Sequence, residues 1–231
     1  PQAIFVLHPP LTIVLPAWVI SHLYRAPFAL SVQDLWPETL AATGMLDNPR
    51  VLAVIAKVAK WMYAASTRVI VISPGFRQNL IGRGVPPDKV HVVSNWVDTK
   101  HYRPVEPDAG LARQHGLLDH FNVLFAGVVG RAQGLDIILK AAILLRDLPS
   151  VQFVVVGDGV DLPELMTAAA RMKVSNVVFL GRHSEDAMPG LFALADVLLV
   201  HLKNAALFRI TIPHKILSYM SSGRPVLAAV A

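Results

Sequence analysis

The stretch NVLFAGVVGRAQGLDIILKAAILLRDLPSVQFVVVGDG, residues 122–159, decides the architecture. It opens on a short apolar run at 122–125 and passes through a glycine-bearing turn. Leu135, Ile138, Leu139, Ala142 and Ile143 then follow at helical spacing, before the β-branched run at 151–156. Apolar residues three and four apart form one face of a helix, whereas short continuous apolar runs suit strands buried on both sides of a parallel sheet. Strand, helix, strand in that order predicts a βαβ unit with its helix over 135–147.

The same alternation extends in both directions. Further strands are expected at 3–7, 28–32, 68–72, 89–93, 176–180, 197–200 and 225–230, with helices between most of them, so the chain is of the α/β class. Residues 102–118 break the rhythm with Pro104, Pro107 and Gly110. This places a domain at 1–103, a linker at 104–118 and a second domain at 119–231. The last strand ends at Ala231, where a Rossmann-type domain normally continues with a further helix and strand, so both domains are expected to be incomplete. The apolar stretch 11–23, interrupted by Pro16, Ser21 and His22, is too short for a membrane span and predicts a buried helix.

Composition narrows the function. The 231 residues are 54% hydrophobic and 16% charged, with mean hydropathy +0.49, which excludes a disordered chain. A net charge of +5 and a pI near 9.7 fit an anionic partner, but the cations are scattered with no basic run, so no nucleic-acid partner is expected. The absence of cysteine excludes disulfides, a thiolate nucleophile and a zinc-finger site. No signal peptide is visible.

Four stretches could carry chemistry. In 125–134, Gly127, Gly130 and Gly134 lie between strand and helix, where backbone N–H groups and a helix N-terminus can bind phosphate; a tight structural turn would look the same. Arg131 stands close to the positive end of the expected helix dipole, a placement that suits an intervening anion or a solvated surface arginine. In 212–225, Pro213 suits a helix start and Gly223 its end, which sets Lys215 as a second cation in a first turn. Gly157-Asp158-Gly159 and Arg182 follow strands at the carboxyl edge, where open α/β sheets bind ligands. Asp34 and Glu38, flanking Trp36, could orient a sugar hydroxyl, act as a base or cap the following helix. The histidines form no metal-spaced cluster and no Asp-x-Asp pair occurs, so neither metal nor cofactor is expected.

Taken in order, His8-Pro9-Pro10, Asp34-Leu35-Trp36-Pro37-Glu38, Val71 to Phe76, Ser94 to Thr99, Gly130 to Gly134, Gly157-Asp158-Gly159, Ala195-Asp196-Val197 and Pro213 to Pro225 resemble the retaining GT-B glycosyltransferases of the sucrose synthase and mannosyltransferase group. The nearest likeness is to a bacterial branch that includes fucosamine transferases of surface-polysaccharide synthesis. The resemblance covers nearly the whole chain and implies two Rossmann-like domains. The second would hold the donor through Gly130, Arg131, Gln133, Gly134, Gly157, Asp158, Arg182, Pro213, Lys215 and Ser218. His8, Gln33, Asp34 and Trp36 would face the acceptor, and Asp34, Glu38 and Lys215 would take part in catalysis. The wider group has an arginine and a lysine where Val128 and Gln133 stand, glutamates where Ile210 and Ser218 stand, and a histidine where Gln33 stands. Arg131 and Lys215 would supply the lost charge.

The reading that follows is a metal-independent transferase that moves a hexosyl residue from a UDP-linked sugar to a lipid-linked saccharide. It would be cytoplasmic and peripheral to the inner membrane face. Its rivals are a nucleotide-sugar epimerase on the same fold and a non-catalytic subunit.

Overall fold

The computed structural model describes residues 1–230, and within them every predicted apolar run is a strand, parallel to each of its neighbours. The strands belong to two units, one formed by residues 1–95 with 205–212, the other by residues 96–204 with 213–231.

In the first unit, β1 (Ile4–His8), β2 (Phe28–Val32), β3 (Arg68–Val71) and β4 (Val90–Val92) lie side by side in chain order. Leu30, Val32, Val69 and Val71 are fully buried between flanking helices, as a parallel sheet requires. The helices are α1 (Val14–Tyr24), α2 (Glu38–Ala42), α3 (Pro49–Ala65) and α4 (Pro74–Gly82). The starts of α3 and α4 follow local rules. The Asn48 side chain accepts from the N–H of Arg50 and Val51, and Ser73 accepts from the N–H of Phe76, each with proline as the next residue. Segment 205–212 packs on α4: the Ser73 hydroxyl donates to the Ile210 carbonyl at 2.7 Å. A Cβ at Gly75 would lie 2.5 Å from that of Ile210, so the segment needs glycine there.

Helix α1 departs from the expected buried helix. Only Val14 and Ala17 are buried, while Leu15, Leu23 and Tyr24 are 57%, 74% and 63% exposed. Apolar composition all round a helix does not supply neighbours all round it, and α1 is covered along one narrow side.

In the second unit, β5 (Phe121–Ala126), β6 (Val151–Val156), β7 (Val177–Gly181), β8 (Val197–His201) and β9 (Val226–Ala229) take the order β7-β6-β5-β8-β9. Alternate residues of one apolar run enter opposite layers. Leu124, Ala126, Val154 and Val156 join a core with Tyr219, while Val123, Phe125, Phe153 and Val155 join one with Ile138 and Leu139. The helices are α5 (Ala109–Gln114), α6 (Asp136–Leu144), α7 (Leu162–Arg171), α8 (Met188–Ala193) and α9 (Lys215–Ser221).

The expected linker at 104–118 is part of this unit instead. Asp108 caps α5, Ala112 and Leu117 are buried in the core, and the Asn122 side chain donates to the Leu117 carbonyl at 2.9 Å. Pro104 and Pro107 do break regular structure, but the apolar residues after them bury enough surface to hold the segment down; the boundary between units falls at Asn95 and Trp96.

Candidate nucleotide-binding site

The strand order of the second unit reverses at β5, because the chain leaves β5 for β6 and β7 on one side and returns to β8 and β9 on the other. The loops beyond the strand ends diverge at such a switch point and leave a crevice, the usual ligand position in open parallel sheets. Here the crevice is a cavity of about 530 Å³, lined from the β5 end by Ala126, Gly127 and Val128, from the β6 end by Gly157 and Asp158, from the β7 end by Arg182 and His183, and from α9 by Lys215, Ser218 and Tyr219.

Two loops are stitched together at its floor. The N–H of Gly127 donates to the Val156 carbonyl at 2.9 Å, and that of Val129 to the Asp158 carbonyl at 2.8 Å. The approach is so close that a Cβ on Gly157, whose φ is +130°, would lie 1.9 Å from the Gly127 carbonyl oxygen. At Gly127 and Val129 these bonds fit the tight structural turn, one of the two readings the sequence left open. The Gly127 and Val129 amides are spent on the neighbouring loop, and the Gly157 amide on the Gly181 carbonyl at 2.7 Å.

Lys215 is the cation of the cavity that is both buried and without an oxygen partner. It opens α9, whose start has no side-chain cap, and its Nζ is buried without a hydrogen bond. The Nζ lies 3.6 Å from the centroid of the Phe125 ring, and burial lowers its pKa to about 7. Glycine at 127 leaves room for it, since a Cβ there would sit 2.9 Å from the Nζ. An unpaired cation at a helix start, in a crevice at a switch point, is arranged to receive an anion. Ser218, buried beside it, donates its hydroxyl to the Lys215 carbonyl at 2.9 Å.

The predicted donor residues divide into two groups. Gly157, Asp158, Arg182, Lys215 and Ser218 line this cavity. Gly130, Arg131 and Gly134 line another, of about 450 Å³, with Lys203, and Arg131 is exposed there. α6 begins at Asp136, one residue after the expected start, so Arg131 precedes the helix as expected but lines this second cavity. The Gln133 carbonyl accepts from Nδ1 of His201, and Pro213 precedes α9 with its carbonyl accepting from the N–H of Ile216 at 3.1 Å. Sequence reading missed His183, His214 and Tyr219. Tyr219 lies one helical turn beyond Lys215 and so on the same face, a spacing that could have revealed it.

In the first unit, His8 ends β1 and Gln33 directly follows β2, and the N–H of Gln33 donates to the His8 carbonyl at 3.0 Å. Both ring nitrogens of His8 are buried without partners, its ring meets that of Trp36 edge-on at 5.6 Å, and burial lowers its pKa to about 4. Burial also raises the pKa of Asp34. Glu38 is bound differently. It pairs with Arg83 at 2.8 Å and, with Tyr63, lines a separate cavity of about 330 Å³. No side chain caps α2, which removes the capping alternative for both carboxylates. Among the described residues no group of three or more His, Cys, Asp or Glu is placed to hold a metal, and no helix is long and apolar enough to cross a membrane.

Comparison with known proteins agrees with this geometry. Residues 120–231 match the family model described as glycosyl transferases group 1, and residues 1–96 match that of the glycosyl transferase 4-like domain. The chain is 25% identical to the probable glycosyltransferase WbjE of Pseudomonas aeruginosa over 88% of its length and 51% of that protein's. It is 31% identical to the putative colanic acid biosynthesis glycosyl transferase WcaI of Escherichia coli K12 over 71% of its length and 40% of that protein's. The chain thus spans about half the length of these curated relatives. The crystal structure of Anabaena HepE in complex with UDP superposes on 97% of the chain and 59% of its own, with a TM-score of 0.75 at 21% identity, which shows the shared fold. With a glycosyl transferase 4-like domain over 1–96 and a glycosyl transferases group 1 domain over 120–231, each carrying a parallel α/β sheet, the chain belongs to the glycosyltransferases of GT-B architecture.

Proposed function

We propose that the whole protein is a retaining hexosyltransferase that uses a UDP-linked sugar and passes the hexose to a lipid-linked saccharide of a cell-surface polysaccharide, working without metal at the inner face of the membrane. The observation that carries this reading is the buried, unpaired Lys215 ammonium in the switch-point cavity. When the bond between the sugar C1 and the diphosphate breaks, both electrons leave with the phosphate oxygen. Lys215 is placed to meet that charge, with Arg182 lining the same cavity, and a cation held in a dry site stabilises a departing anion more than it would in water. The acceptor oxygen bonds to C1 on the face the diphosphate leaves, and its proton passes to the departing phosphate. On the acceptor side the proposal assigns His8, Gln33, Asp34 and Trp36 to hold the incoming saccharide.

Three supports come from outside the cavity. HepE is bound to UDP in its crystal structure, and the Escherichia relative is named for colanic acid biosynthesis. The net charge of +5 suits an anionic donor and an anionic lipid surface. Calorimetry with UDP on the intact protein in excess EDTA is the test. Binding is expected, and Lys215→Ala should weaken it about tenfold or more, the worth of a charge-assisted contact. UDP that binds both proteins equally, or binds only when magnesium or manganese is restored, overturns the assignment.

A further inference from the structure

The sheet of the second unit is not closed at the crevice. Paired residues of β5 and β8 are Val123 with Val197 and Leu124 with Leu198, whereas β5 stays paired to β6 as far as Ala126 with Val156. In a parallel ladder the N–H and C=O of one residue point to the same neighbouring strand. At Ala126, both are taken by a side chain. Its N–H donates to the Tyr219 hydroxyl at 2.7 Å, and that hydroxyl donates to the Ala126 carbonyl at 3.0 Å.

We propose that Tyr219 is a positioning residue of the nucleotide site: its hydroxyl substitutes for β8 at the end of β5, keeps the crevice open there and fixes the register in which α9 presents Lys215. The inference rests on the nucleotide reading of the cavity and adds a residue that no sequence feature of the donor site had marked. Backbone groups in a dry core must be paired, so without the hydroxyl the Ala126 groups have either to remain unpaired or to draw β8 inward. Lys215 and Tyr219 stand on one face of α9, and they grip consecutive residues at the end of β5 and just beyond it: Lys215 lies over Phe125 and Gly127, Tyr219 on Ala126. A shift of α9 along the strand end would therefore move the ammonium out of the crevice.

The tyrosine is suited to this in its surroundings. It is fully buried, meets the ring of Phe192 edge-on at 5.1 Å, and its carbonyl accepts from the Ser222 hydroxyl at 2.6 Å. Burial raises its pKa, so the hydroxyl keeps the proton it donates to Ala126. The other titratable groups at the cavity are Tyr102, Asp158, Arg182, His183 and His214.

The test compares UDP affinity and melting temperature in the intact protein, Tyr219→Phe, Ser222→Ala, Lys215→Ala and the double variant Lys215→Ala with Tyr219→Phe. Tyr219→Phe is expected to weaken UDP about fivefold or more, and the double variant to bind no more weakly than Lys215→Ala alone, because one change acts through the other. Ser222→Ala loses a buried hydrogen bond in the same helix without touching Ala126, so it should melt lower yet bind UDP within about twofold of wild type. Tyr219→Phe that binds like wild type, or whose effect multiplies with that of Lys215→Ala, overturns the inference and leaves the nucleotide reading standing. Wild type that fails to bind UDP sinks both. Should Tyr219→Phe not fold, alanine-selective amide spectra of wild type decide: the Ala126 resonance is expected to move as UDP saturates the site, and a fixed resonance overturns the inference.

Discussion

The Nζ of Lys215 lies 3.6 Å from the centre of the Phe125 ring, so its charge rests on an aromatic face and on no oxygen. A ring face returns about 2 kcal/mol or somewhat more to a desolvated cation, less than full hydration would. The balance is visible in the pKa, which burial lowers to about 7. The site thus holds a lysine close to giving up its proton, and an arriving anion would restore the reason to keep it.

That relationship predicts proton uptake. An anion beside the ammonium raises its pKa, so at pH 8, where the free site is mostly neutral, binding of UDP should take up to about one proton. Calorimetric enthalpies of UDP binding in two buffers of different ionisation enthalpy measure it. Identical enthalpies at pH 8 would remove Lys215 from contact with the phosphates.

Stability should show the opposite face of the same group. The folded pKa lies below the unfolded value of 10.5, so the unfolded chain binds more protons between about 7 and 10.5. The burden that Lys215 places on the fold is therefore complete below pH 7 and is relieved as pH rises to 10.5. Lys215→Met, of similar length and uncharged, is expected to melt about 5 °C higher than wild type at pH 6, with the gap narrowing by pH 9.5. Thermal scans at both values test the sign, and a variant that melts lower at pH 6 contradicts it.

Gly157→Ala should be among the most damaging small substitutions in the second unit. The added Cβ would meet the Gly127 carbonyl oxygen at 1.9 Å, in a backbone conformation with φ of +130°. Neither loop can retreat without giving up the bonds between them, so a loss of roughly 3 kcal/mol or more is expected in urea denaturation. Gly116→Ala is the control. Its φ of +68° carries strain, but nothing lies within 4 Å of the new Cβ, so it should cost about 1 kcal/mol.

Glu38 is expected to serve the fold more than the reaction. Arg83→Met removes its cation, 2.8 Å away, and leaves a carboxylate with one oxygen already buried and unpaired. Both partners are partly exposed, so the cost should be modest, about 1 kcal/mol. Glu38→Gln should keep sugar transfer within about threefold of wild type, whereas loss of a general base costs about a hundredfold or more. A hundredfold fall in kcat with an unchanged melting temperature would return Glu38 to the reaction.

The amino-acid sequence by itself determined the α/β class, every strand, and the starts of α3 and α4, because hydrophobic period, β-branching and the Asn-Pro and Ser-Pro caps act within a few residues. It also marked Gly157, Asp158 and Arg182, since strand ends are where parallel sheets leave room for ligands, and Lys215 as a cation in a helix's first turn, while Ser218 came from the family resemblance. Burial and pairing over long separations were decided only in three dimensions. Composition suggested a covered α1 and a free segment 104–118, but neighbours left the first exposed and buried the second. Arg131 and Lys215 looked alike as cations near helix starts, yet only Lys215 reaches the switch-point cavity, while Arg131 lines the cavity beside Lys203. Ala126 and Tyr219 are 93 positions apart, and nothing local to either reveals that a phenol hydroxyl completes the end of β5. A hydrogen bond of that kind depends on where the sheet splits, which is a property of strand order and not of any single stretch of chain.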